Sequence, residues 1–320
     1  MSMRKLIAGV LFWLAAVGCG VETRNEELGV ISQPLGCTPG SQVYVYQANM
    51  HRLDDDWKPL ITERMKTAAY KPDVVILQQV DTEAKVVAFK DQMNSLLEET
   101  TYTYVWNPGL GAPSSKAIIF RSNKLRLDTW GYVPSWKLND SKNGCIQQNN
   151  NLAAKFTDLQ SGQTLAVASV WTNGELWGIA DAAIPVDGCA YKNVRSARDA
   201  IAPWSDNRII AGDQNITPQY NGSNRCWYKA VTGGNTSGCS ADTGSGSILD
   251  FEDAMVVAGD AVGTIGCSTS GCSSRRIDFL FENGMTPGSG APSGTLSAMD
   301  LDGNGRLYSD HAALRALFNY

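Results

Sequence analysis

Hydrophobic and polar positions alternate in several short runs along this chain, and a few longer stretches carry a helical period instead. Gln42–Gln47 (QVYVYQ) alternates and is rich in β-branched and aromatic residues, which predicts a strand. Over 57–70, Leu60, Ile61, Met65, Ala68 and Ala69 fall on one helical face. Pro72-Asp73 opens a second strand, Val74–Leu77, whose unbroken apolar run predicts burial on both faces. Residues 82–99 return to an amphipathic helical pattern. Strand-like runs follow at Tyr102–Trp106, Lys116–Phe120, Leu152–Phe156 and Thr164–Val170. A third helix is expected over Asn193–Ala202, carrying Arg195 and Arg198. Strands then follow at Arg208–Ala211, Ile277–Phe281 and within Ala312–Phe318. Two early helices, many strands and one later helix fit an α+β sandwich, with helices outside two packed sheets. No internal repeat and no linker composition interrupts the chain after residue 40, so one domain over 41–320 is expected.

Composition supports a folded chain, since 43% of residues are hydrophobic and only 18% charged. The N-terminus reads as an export signal. Arg4 and Lys5 precede an apolar run, Leu6–Val17, that is shorter than the ~20 residues a membrane-spanning helix needs. Ala16-Val17-Gly18-Cys19 resembles a bacterial lipobox, with Ala16 where Leu is usual. In that reading residues 1–18 are removed, Cys19 is lipidated, and residues 19–40 form a flexible tether. Ordinary signal-peptide cleavage nearby is the competing reading; the polar stretch Glu22–Gln33 favours the lipoprotein. Either way the protein is expected to be exported, anchored at a membrane face or secreted. Loss of Arg4 and Lys5 takes the formal net charge from −5 to −7. Such a chain has no bulk attraction for nucleic acid, although a metal-filled cleft can supply local positive charge.

Eight cysteines in an exported chain point to disulfides. Apart from Cys19 these are Cys37, Cys145, Cys189, Cys226, Cys239, Cys267 and Cys272, an odd number. Cys226–Cys239 and Cys267–Cys272 are natural staples of Gly- and Ser-rich loops, and Cys145–Cys189 is a further pairing. Zinc is disfavoured, because the two histidines lie far from any cysteine pair and no CxxC occurs.

Five segments carry a resemblance when taken in order: QANMHR (47–52), PDVVILQQV (72–80), KAIIFRSNKLRLDTW (116–130), NRIIAGDQN (207–215), and RRIDFLF (275–281) with SDH (309–311). Each stands at the end or start of an expected strand. Together they resemble the DNase I-like endonuclease/exonuclease/phosphatase superfamily, over about residues 42–320. The resemblance implies a four-layer αββα sandwich of two mostly antiparallel sheets. It also implies hydrolysis of phosphate esters with Mg²⁺ or Mn²⁺, and in some members Ca²⁺. Such chemistry needs an activated water, stabilisation of charge on the phosphoryl oxygens, and protonation of the leaving oxygen.

The resemblance makes Asp213 the water-activating base, with Asn215 beside it on phosphate or metal. Their i, i+2 spacing places both side chains on one side of an extended segment. His311 contacts the scissile phosphate and Asp278 orients it. Asp310 is the metal-side acid, Asn49 a phosphate or metal contact, and Arg121 an arginine that reaches a substrate phosphate, with a surface strand-end role as its alternative. Two positions depart from the pattern. The metal-binding glutamate falls on Gln79, whose amide oxygen can ligate Mg²⁺ without a full charge. The second catalytic histidine falls on Trp171 or Thr172, and loss of one acid–base group costs about 10²–10⁴ in rate. Asp81 or Glu83 could supply the missing carboxylate if the strand continued past Gln79. Separately, Asp300, Asp302 and Asn304 with Gly305 resemble the start of a calcium loop, although His311 stands where an EF-hand needs Glu. A partial Ca²⁺ site and a plain Asn-Gly turn remain equal readings.

The expected function is therefore an exported, metal-dependent phosphodiesterase, with DNA as the first substrate and a monomer as the working state. A binding protein without turnover is the alternative from another class, and a phosphatase or phospholipid phosphodiesterase at a membrane is a third.

Overall fold

The computed structural model describes residues 21–26, 29–34, 42–50, 65, 71–98, 101–109, 115–139, 144–172, 184–220, 223–239, 248–260, 264, 275–288, 294–295, 309 and 311–320. The signal segment, Cys19, Cys37, Cys267, Cys272, the calcium-like residues Asp300, Asp302 and Asn304, and Asp310 lie outside the described residues. So does the helix expected over 57–70, apart from Met65.

The chain divides into Met1–Pro39 and Gly40–Tyr320. In the first unit, Val21–Glu26 (β1) pairs antiparallel with Gly29–Pro34 (β2). The sequence reading expects a polar tether here. Val21, Thr23, Val30 and Ile31 are β-branched, and that preference gives the segment strand character.

In the second unit, chain order runs Gln42–Asn49 (β3), Val74–Gln78 (β4), Glu83–Leu96 (α1), Tyr102–Asn107 (β5) and Lys116–Arg121 (β6). Two strands of fifteen residues follow, Leu125–Asn139 (β7) and Gly144–Asp158 (β8), then Thr164–Trp171 (β9) and Ile184–Ile201 (α2). Next come Arg208–Asp213 (β10), the short pair Gln219–Tyr220 (β11) and Ser223–Asn224 (β12), and Cys226–Val231 (α3). The chain finishes with Glu252–Asp253 (β13), Ala254–Val257 (α4), Asp278–Asn283 (β14), Thr286–Pro287 (β15), Gly294–Thr295 (β16) and Leu314–Asn319 (β17).

Apart from the β11–β12 pair, these strands make two sheets. A six-stranded sheet has the order β13-β14-β10-β9-β8-β7, and a seven-stranded sheet the order β15-β17-β3-β4-β6-β5, with β16 also on β17. Among the described strands, only β3–β4 and β9–β10 pair in parallel. A parallel pair needs a crossover, and α2 lies within the one that joins β9 to β10.

Alternation along the strands builds three apolar layers. Val45, Ile76 and Ile118 face Leu152, Val167 and Ala211 between the sheets. The intervening Tyr46, Val75 and Ile119 lie on the other face of their sheet, beneath Val86, Phe89 and Met93 of α1. On the outside of the six-stranded sheet, Ala190, Val194, Ala197 and Ile201 form the buried stripe of α2 against Ala168, Val170 and Ile210. The result is the four-layer αββα sandwich.

Elsewhere the structure adds to the sequence reading. Strand β7 was not expected. It is an edge strand with irregular register at Leu127/Thr129 and Val133/Ser135, and Pro134 sits at the second irregularity, so no clean period-2 signal survives. Helix α2 begins nine residues before the expected Asn193. Its early half is fastened to β8 by the disulfide Cys145–Cys189, while Cys226–Cys239 staples the start of α3 to the following loop.

Glu282 lies near the end of β14, away from Asp278 at its start, and is 2% exposed. Burial, reinforced by the charge of Glu252 opposite it on β13, pushes its carboxyl from about 4.5 up to about 7. The folded state thus holds this proton more tightly than the unfolded chain does, and its stabilising effect is lost as pH rises through that window. Glu282→Gln is expected to raise Tm by a few degrees at pH 8 and leave it unchanged at pH 5, as read by thermal denaturation at both values.

Candidate functional site

The side chains that strand alternation aims between the two sheets change from apolar to polar at one end of the sandwich. On the seven-stranded sheet, Val43 and Val45 lead to Gln47 and Asn49, Val74 and Ile76 lead to Gln78, and Phe120 and Ile118 lead back to Lys116. On the six-stranded sheet, Leu165 and Val167 lead to Ser169 and Trp171, Ile209 and Ala211 to Asp213, and Leu280 back to Asp278. The registers line these residues up. Gln78 stands between Asn49 and Lys116 across one sheet, and Asp213 between Asp278 and Trp171 across the other.

The two rows are joined by hydrogen bonds. Asn49 Nδ2 donates to Asp213 Oδ2 at 2.9 Å. Gln47 Nε2 donates to Gln78 Oε1 at 2.7 Å and reaches Asp278 Oδ1 at 3.3 Å. Gln78 Nε2 donates to Ser169 Oγ at 2.9 Å, and that hydroxyl donates to the Leu77 carbonyl at 3.2 Å. His311 stands just before β17, with its Nδ1 2.8 Å from Asp278 Oδ2. Its backbone N–H is held by Ser309 Oγ, which donates in turn to the Asn49 carbonyl. The carboxylate thus fixes which edge of the imidazole faces the protein.

Asp213 is reached through Gly212. At φ +146° this residue lies so close to β9 that a Cβ would collide with the Val170 carbonyl. Burial first, and the charge of Asp278 next, push the Asp213 carboxyl up to about 7; His311 and the donors Asn215 and Asn49 pull the other way. Asn215 does share a side with Asp213, but not by strand alternation. Strand β10 ends at Asp213 and Asn215 is left-handed at φ +53°. Its backbone N–H donates to Asp213 Oδ1 at 2.7 Å, closing a turn, and its Nδ2 donates to Asp213 Oδ2 at 2.9 Å and to the Thr172 carbonyl at 2.6 Å.

A second polar network backs the rim. Thr172 Oγ1 donates to Gln214 Oε1 and accepts from Asn193 Nδ2, and Asn151 Oδ1 accepts from the Trp171 backbone N–H at 3.1 Å. Asn151 Nδ2 donates to Asn193 Oδ1 at 3.2 Å. Trp171, the partner of Asp213 across the β9–β10 pair, is therefore the residue on the rim, while Thr172 belongs to this supporting network. The Lys116 ammonium lies over the Trp171 ring, 5.6 Å from its centroid, and burial pushes its pKa down to about 7.

Two expectations are corrected. Arg121 is at the opposite end of β6 from Lys116, roughly 17 Å along the strand. There it meets Asp73 Oδ1 at 3.1 Å, beside Lys124 on Asp73 Oδ2 at 2.7 Å, so it clamps the start of β4 and does not reach the rim. Asp81 and Glu83 do not replace the glutamate missing at Gln79. Strand β4 stops at Gln78, and Gln79 at φ +56° breaks the alternation that would carry Asp81 to the same side. Asp81 pairs with Lys85 in solvent, and Glu83 accepts from Tyr104 Oη. Among the residues the sequence reading missed, Gln47, Gln78, Lys116 and Ser169 carried a signal. Each is polar where the period calls for another apolar side chain.

No group of three or more His, Cys, Asp or Glu side chains among the described residues converges as a metal site. The described candidates, Gln79 and Asn49, bring amide oxygens, whereas Mg²⁺ is usually held through one or two carboxylates. The two amides alone do not fit the ion, and Asp310, the expected acid of the set, lies outside the described residues.

No protein-family model matches the chain, and no curated protein matches its sequence. Solved structures do match. D. rerio TDP2 complexed with a single-strand DNA product is 16% identical, covers 88% of this chain and all of its own, and has a TM-score of 0.55. The human Nocturnin catalytic domain with bound sulfate is 16% identical over 87% of this chain and 94% of its own, TM-score 0.55. An endonuclease/exonuclease/phosphatase from Bacteroides vulgatus is 14% identical over 87% and 98%, TM-score 0.56. The fold is the DNase I-like fold of the endonuclease/exonuclease/phosphatase superfamily.

Gly212→Ala is expected to lower unfolding free energy by about 2–4 kcal/mol, since both the left-handed backbone and the strand contact forbid a Cβ. Urea unfolding of the two proteins measures it.

Proposed function

We propose that this chain is an exported, divalent-metal-dependent phosphoric ester hydrolase, and specifically a phosphodiesterase acting on DNA. One observation carries the reading: Asp213, gripped by Asn49 and Asn215, shares a buried rim with a His311 that Asp278 orients. A scaffold with only a packing role has no use for two buried carboxylates set against an imidazole, because each costs desolvation. In the proposed reaction Asp213 takes a proton from the attacking water as the water oxygen bonds to phosphorus. The bond to the ester's leaving oxygen breaks, and that oxygen takes a proton from solvent. The raised affinity of Asp213 for protons suits a base working near neutral pH. Asn49 and Asn215 keep its two oxygens in place. In its doubly protonated form His311 donates from Nε2 to a phosphoryl oxygen as negative charge gathers there. DNA is favoured by the fold shared with D. rerio TDP2, whose structure holds a single-strand DNA product. A divalent ion would be held through Gln79, Asn49 and Asp310, and a lipid anchor at Cys19 would tether the exported protein to a membrane face.

A second reading, a phosphate-binding protein without turnover, is favoured by Gln79 and Trp171 at positions where the resemblance expects Glu and His.

A supercoiled-plasmid nicking assay with Mg²⁺, Mn²⁺ or Ca²⁺ separates the two. Protein from residue 20 onward is expected to nick in a metal-dependent way, and Asp213→Ala or His311→Ala is expected to reduce the rate by about 10²–10⁴. A folded wild-type protein that leaves the plasmid intact supports the second reading. Gln79→Glu adds the missing charge, and is expected to lower the Mg²⁺ concentration for half-maximal activity by about tenfold or more. A metal titration of both proteins reads this directly.

A further inference from the structure

We infer that Trp171 is a phosphate-contacting residue, its indole Nε1–H donating to a phosphoryl oxygen of the bound ester. This rests on the proposed phosphate-ester reading of the rim. Trp171 follows Leu165, Val167 and Ser169 on the face of β9 that looks between the sheets, and it is the Cα partner of Asp213. The residue is only 6% exposed, yet Nε1 is fully buried and has no acceptor among the described residues. Two other indoles in the second unit do not share this state. Trp136 Nε1 donates to Ser196 Oγ at 2.9 Å and Trp227 Nε1 to the Thr217 carbonyl at 3.2 Å. A buried donor without an acceptor is costly and uncommon, and at a rim built for a ligand the missing acceptor belongs to that ligand.

The surroundings specify what that acceptor is. The indole ring lies beneath the Lys116 ammonium, and the backbone that carries it is tied to Asn151 Oδ1. A cation over the ring draws π density toward itself and leaves the edge N–H more positive, which favours an anionic oxygen over a neutral one. The neighbouring carboxylates, Asp213 and Asp278, accept and do not donate when ionised, so they cannot serve a phosphoryl oxygen. Trp171 adds a donor on the side of Asp213 away from Asp278. Where the resemblance expects an acid–base group, this chain has a donor that never titrates. It positions and stabilises the phosphoryl group and leaves proton delivery to other groups.

The test is a ¹H–¹⁵N spectrum of the indole N–H resonances of ¹⁵N-labelled protein, titrated with inorganic phosphate. The Trp171 signal is assigned by its loss in Trp171→Phe, and in Trp171→His as a second variant should the first not fold. A downfield move of this resonance at saturating phosphate is expected, together with a fall in kcat/KM of roughly 10- to 100-fold in Trp171→Phe. Trp171→His is expected to regain part of that loss and to add a limb near neutrality to the pH profile, which a packing role would not produce. An unmoved indole resonance in a protein that hydrolyses its substrate overturns the assignment and spares the hydrolase reading. A shifted resonance in a protein that never turns over supports the assignment and removes the hydrolase. No response to phosphate at any indole, with no hydrolysis, overturns both.

Discussion

The interior between the two sheets cannot stay apolar to its end, because several of its strands stop or start at a rim that has to hold charge. Everything in the candidate site depends on how that boundary is made. Gln47 and Gln78 form the first polar layer above Val45 and Ile76, and their amides bond to each other, to Ser169 and to Asp278. Side-chain amides suit this place because each both donates and accepts, so they can bond within the layer and still offer donors to the carboxylates above. Asp278 is therefore fixed from below by Gln47 before His311 binds it from the side. The precision of the imidazole traces to two glutamines outside the motifs' catalytic positions.

Much of this was legible in the sequence, and the part that was not has identifiable causes. Short motifs named Asp213, Asn215, Asp278, His311 and Asn49, and the structure brings these five together. The strand that delivers Asp213 was also visible, since Arg208–Asp213 is short and strongly apolar. Arg121 was misplaced because a motif gives order along a strand but not the end of the sandwich to which the strand brings it. The antiparallel pairing of β6 with β4 puts Lys116, not Arg121, beside Gln78. Asp81 failed for a local reason: a left-handed Gln79 is invisible in sequence, because glutamine has no special preference for that conformation. Strand β7 escaped because its irregular register scrambles the period that reveals strands.

Trp171 shows how a substitution that looks like damage in sequence can have a different meaning in context. Read alone, tryptophan for histidine removes a proton carrier. Placed at the rim, it exchanges a titrating group for a fixed donor and creates a ring face against which Lys116 can rest. The two changes belong together, since a buried ammonium needs an electron-rich neighbour and Trp offers the best aromatic face.

The charge balance of the rim gives the same conclusion by a separate route. Its two buried carboxylates, Asp213 and Asp278, face one imidazole and one ammonium whose proton is held weakly. Such a set has little positive charge to spare for an incoming phosphate, and the acidic chain around it adds none. Binding must then come from directed donors or from a cation that arrives with the substrate. The amide N–H groups of Asn49 and Asn215 already serve Asp213, so they are committed to the base. In the proposed reading, the imidazole and the edge of the indole are the groups that serve the phosphate. In the proposed reading, a site built this way discriminates by geometry more than by charge.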